Sequence, residues 1–97
     1  MSGPFGKFRI NPEMAYQIDI LRSAQKQLGK IDRQDQDRIV ETIRGLAEDP
    51  RPHDSKKLSA RPAWRIRVGS YRVIYEIHDD TLRILVIAIG HRSHIYR

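Results

Sequence analysis

The stretch "WRIRVGSYRVIYEIHDDTLRILVIAIG", Trp64 to Gly90, decides the fold. In its first part Trp64, Ile66 and Val68 alternate with Arg65 and Arg67. A period of two sends the apolar set to one face of a strand and the arginines to the other. Gly69-Ser70 allows a tight connection, and Tyr71, Val73, Tyr75 and Ile77 then resume the alternation in a second strand. Asp79-Asp80 suits a hairpin turn. "TLRILVIAIG", from Thr81, is apolar on both faces and predicts a central strand covered on both sides, ending at Gly90.

Upstream, "EDPRP" stops a helix, because Pro50 disfavours helical Asp49 and Pro52 removes another amide donor. In that helix Ile39, Val40, Ile43, Leu46 and Ala47 form one apolar stripe. Asp32 is its expected N-cap, and Asp35 favours the helix dipole. "RSAQKQLGKI" (Arg22–Ile31) predicts a shorter helix capped by Ser23 and stopped at Gly29. "MAYQIDIL", from Met14, reads as a strand with Tyr16, Ile18 and Ile20 alternating against Gln17 and Asp19. The expected fold is α+β: an N-terminal strand and two helices packed on a mainly antiparallel four-stranded sheet, whose other face is partly open. Residues 1–13 read as an extension outside the core, and residues 14–97 as one domain without repeats.

The 97 residues contain no cysteine, which excludes disulfides and thiolate metal sites and favours an intracellular setting. No apolar run approaches the roughly 20 residues of a membrane span, so no membrane partner is expected. "MSGPFGKFRINPE" lacks the apolar core of a secretory signal.

The net charge is +6, and its distribution says more than its size. Residues 1–50 carry eight Lys/Arg and eight Asp/Glu, whereas residues 51–97 carry ten and four, so the whole excess lies in the second half. Lys56, Lys57, Arg61, Arg65, Arg67 and Arg72 follow one another with no acid between them. Such a patch is the electrostatic footprint of a polyanion partner. With the apolar set facing the core, Arg65, Arg67 and Arg72 share the outer face. Guanidinium forks match phosphate geometry there. The competing reading is local neutralisation by Glu76, Asp79 or Asp80. Beyond the last strand His91, Arg92, His94 and Tyr96 crowd together, bringing proton exchange, charge and an aromatic ring to one strand end. Walker-type loops, HExxH, CxxC and paired carboxylates are missing, and His78, Asp79 and Asp80 read as turn residues, so neither metal nor cofactor is expected.

The order "KKLS…WRIRVGSYRVIYEIHDDTLRILVIAIGHRSHIY" behind "MAYQIDILRSAQKQL" resembles the RelE/ParE superfamily of bacterial toxin–antitoxin systems, over about residues 14–97. The resemblance implies a microbial-RNase-like fold. It implies a cytoplasmic endoribonuclease of a bacterium or archaeon that cuts mRNA in the ribosomal A site without metal, by attack of the 2′-hydroxyl on the adjacent phosphate. It implies a cognate antitoxin, expected to be acidic and partly helical. Carried over by position, the basic strand residues are Arg65 and Arg67, the phosphate-stabilising arginines Arg72 and Arg92, and the C-terminal tyrosine Tyr96. Lys56, Lys57, Arg61, His91 and His94 are expected to contact RNA. One departure matters: RelE members often carry lysine where this chain has Arg65 and Arg67. Arginine cannot act as a base near neutral pH, so these two suit electrostatic stabilisation. The base is then His91, His94, or a group of the ribosome or RNA. Two alternatives stand beside this reading: a ParE-like gyrase-inhibiting toxin, and a non-catalytic RNA- or protein-binding module on the same fold.

Overall fold

The computed structural model describes residues 15–91. The chain runs β1 (Gln17–Ile20), α1 (Arg22–Gly29), α2 (Arg33–Gly45), β2 (Ser55–Lys57), β3 (Trp64–Val68), β4 (Tyr71–His78) and β5 (Arg83–His91). The sheet order is β1-β5-β4-β3-β2. Among the described residues only β1 and β5 pair in parallel; the other three pairings are antiparallel.

The α+β expectation holds, with five strands where four were expected. The additional strand is β2, built from Ser55, Lys56 and Lys57. Three residues with two adjacent lysines carry no apolar alternation. What makes them a strand is a turn before them, where Ser55 donates backbone and side-chain hydrogen bonds to the Pro52 carbonyl. Two further expectations are corrected. The middle strand is β4, not β5, although β5 is still flanked on both sides. And β5 continues through Gly90 to His91, because Gly90 pairs in register with Arg72.

The helices cover one face. Ala24, Ile39, Ile43 and Leu46 pack there against Ile66, Val73, Tyr75, Ile84, Val86 and Ile89. Tyr75 is wholly buried, and its hydroxyl donates to the Pro50 carbonyl at 2.7 Å, which satisfies its polar end. Burial pushes the Tyr75 phenol above its ordinary pKa. Gln36 of α2 donates to the Leu28 carbonyl of α1, closing the helical hairpin. Asp32 does occupy the N-cap of α2, though without a side-chain cap bond; α1 is preceded by Leu21, with Ser23 already inside the helix.

β5 departs from simple alternation. Tyr75 pairs with Val86 and Ile74 with Ala88, leaving Ile87 as an extra residue, a β-bulge. The bulge switches parity, so that Ile84, Val86 and Ile89 all reach the core. Gln27 of α1 accepts a hydrogen bond from the Ile89 amide at 2.8 Å, just past the bulge.

Candidate nucleic-acid interface

Cross-strand register builds the outer face residue by residue. Lys56 lies opposite Arg65, which lies opposite Ile74, which lies opposite Ala88. In the neighbouring row Arg67 lies opposite Arg72, and Arg72 opposite Gly90. Directly opposed residues share a face, so four cations stand together on the side away from the helices. Gly90 adds no side chain beside Arg72. Gly69, at φ +62°, makes the tight β3–β4 turn that brings Arg67 and Arg72 into register. At this hairpin end Arg67, Gly69, Ser70, Arg72 and His91 line a cup of about 350 Å³. His91 meets Tyr71 edge-on, with ring centroids 5.9 Å apart.

Two of the carboxylates proposed above as neutralisers, Glu76 and Asp79, are engaged elsewhere. Glu76 bonds His78 at 2.9 Å. Asp79 accepts from Arg51 at 2.8 Å and from the Tyr16 hydroxyl at 2.5 Å. These contacts, the Arg51 bond first, hold the Asp79 carboxyl below its ordinary pKa, while the bond to Asp79 raises the Tyr16 phenol. Asp19 pairs with Arg83 at 2.6 Å. Lys56, Arg65 and Arg67 form no ion pair with a carboxylate among the described residues. Like charges directly opposed in a sheet repel. This face is therefore suited to an external anion, which fork-shaped guanidinium donors can hold and whose developing charge they can stabilise.

The expected site residues separate. Arg65, Arg67, Arg72 and Lys56 come together, and His91 joins at the rim. Lys57 lies opposite Trp64, on the side of the helices. Arg61 sits in the loop closed by the Leu58 amide bonding the Ala63 carbonyl, at the other end of β3 from the cup. Arg92, His94 and Tyr96 lie outside the described residues. Sequence reading missed Gly69 and Ser70 as cup-lining positions; the alternation that placed Arg72 outward was the available signal for what lies beside it. Among the described residues no group of three or more His, Asp or Glu is arranged to hold a metal ion. None of their helices is long and apolar enough to cross a membrane.

This fold and cationic sheet face are those of a toxin of the RelE/ParE superfamily, and comparison with known proteins agrees. A candidate RelE-like toxin protein of Escherichia coli is 26% identical over 82 residues, covering 82% of this chain and 86% of its own length. The archaeal RelE in the RelE–RelB complex from Pyrococcus horikoshii superposes with a TM-score of 0.75 at 26% identity, covering 84% of this chain and 99% of its own. The isolated Escherichia coli RelE toxin gives a TM-score of 0.71 at 26% identity, covering 84% and 92%. Residues 18–96 match the ParE toxin family of type II toxin–antitoxin systems. The chain belongs to that family and is the toxin of such a system.

Proposed function

We propose that the chain is an endoribonuclease that cuts mRNA in the ribosomal A site and so halts translation. The observation that carries this reading is the Arg67–Arg72 cross-strand pair facing Gly90, a doubly cationic seat with room for a phosphate. In the proposed reaction the 2′-oxygen bonds to the adjacent phosphorus and the 5′-oxygen leaves. The 2′-hydroxyl proton passes to a base, and Tyr96 stacks on a nucleobase or returns a proton to the leaving oxygen. Arg67, Arg72 and Arg92 stabilise the crowded anionic phosphorus, with Arg65 adding its charge from the neighbouring row and no metal required. His91, at the rim of the cup, and His94 are the chain's own candidates for the base. A translation reaction with purified ribosomes tests this: codon-phased mRNA cuts are expected. His91→Gln and His94→Gln variants that both cleave at the wild-type rate across pH would remove the histidines from that role.

An acidic, partly helical antitoxin is the proposed partner, since its charge would neutralise the cationic face. RelE from Pyrococcus horikoshii, a structural relative, is seen in complex with RelB. A second reading, gyrase inhibition, is favoured by the match to the ParE family. It predicts DNA damage with intact mRNA in the same cells.

A further inference from the structure

We propose that Lys56 and Arg65 form a second phosphate site, so that the protein grips two consecutive phosphates of single-stranded RNA running diagonally across β3. This rests on the ribonuclease reading and adds to it a binding residue and a direction for the strand.

β2 is three residues long and presents Lys56 directly opposite Arg65, exposed on the outer face. A like-charged cross-strand pair is unfavourable by itself. Two such pairs share β3, Lys56–Arg65 on one side and Arg67–Arg72 on the other. Arg65 and Arg67 are separated along the strand by two residues, about 6.7 Å. The two pair centres differ by one strand spacing across the sheet, about 4.8 Å. They are therefore about 8 Å apart on a diagonal, and flexible lysine and arginine side chains bring that within the spacing of successive phosphates. The opposite end of the face does not continue the track. There Asp19 pairs with Arg83 and Glu76 with His78, so acids alternate with bases and a polyanion gains nothing. Within Lys56's row, beyond Arg65, lie only Ile74 and Ala88, which add no charge.

The test is a double-mutant cycle on the full chain. Binding of a non-cleavable 2′-O-methyl RNA hexamer is measured by fluorescence anisotropy, with each linkage in turn replaced by a neutral methylphosphonate. At one linkage the replacement should weaken binding by about tenfold, and Lys56→Gln should weaken the all-phosphate hexamer by about tenfold. The two together should cost no more than either alone. Lys56→Gln should lower the salt slope by about 0.7, Lys56→Arg should restore binding, and Lys30→Gln, on the helical side, should bind as wild type. Additive losses at every linkage, or Lys56→Gln binding equal to wild type, overturn the second site and leave the ribonuclease reading standing. That result is also expected if an acidic protein segment is the true occupant of the pair. Wild-type protein that binds no hexamer likewise overturns the second site, while cleavage on purified ribosomes decides the ribonuclease reading separately.

Discussion

Replacing Arg67 with glutamine should stabilise the fold while crippling its action on RNA. Arg67 and Arg72 are direct cross-strand partners. Even splayed to about 7 Å in water, two unit charges repel by about 0.6 kcal/mol, in line with the few tenths to about 1 kcal/mol typical of opposed like charges. Removing one should raise the melting temperature by about 2–4 °C for a chain of this size at low salt. The gain should vanish in 1 M NaCl, where the screening length falls to about 3 Å. The same substitution deletes a preorganised donor to the phosphate. Losses of that kind slow reactions by about 100- to 1,000-fold. Thermal unfolding of both proteins at 10 mM and 1 M NaCl, beside ribosome-dependent cleavage, gives the two readouts. A variant less stable than wild type at low salt, or a stability difference indifferent to salt, would refute the repulsion on which the site is built.

Three further outcomes probe the frame that holds this face. Tyr75→Phe leaves the half-buried Pro50 carbonyl without its donor and should cost about 1 kcal/mol in urea unfolding with an unchanged m-value. Gln27→Met removes the acceptor of the Ile89 amide beside the bulge and should cost about 1 kcal/mol. If it costs nothing, another group satisfies that amide. Asp79 has its pKa depressed in the fold by Arg51 and Tyr16. Its contribution is therefore present above the unfolded carboxyl pKa of 3.8 and lost as pH falls through the lower folded value. Melting temperatures of wild type and Asp79→Asn should differ at pH 7 and draw together as pH falls below 3.8. A gap that does not narrow on acidification would mean that the Asp79 contacts act through something other than charge.

The amphipathic parts of the chain were legible because their periods are unambiguous. Trp64-Arg65-Ile66-Arg67-Val68 can lie only one way across a half-covered sheet, which puts both arginines on the outer face from sequence alone. The apolar run Ile84–Ile89 was not legible in the same way. With both faces apolar, parity carries no signal, so the bulge at Ile87 and the face taken by His91 were hidden. β2 escaped because its pairing is dictated by a turn at Pro52 and by its partner β3, and hydropathy within three residues is silent. For the same reason Lys56 and Lys57 looked equivalent in sequence. Only register separates the lysine opposite Arg65 from the one opposite Trp64.

The most direct test of the proposed activity is mRNA cleavage on purified ribosomes, mapped by primer extension, with wild type and Arg72→Gln compared at equal concentration. The account predicts cuts at a fixed position within A-site codons for wild type and their loss in the variant. Intact mRNA with saturating wild-type protein, together with gyrase-linked DNA breaks in cells producing it, would contradict the ribonuclease reading.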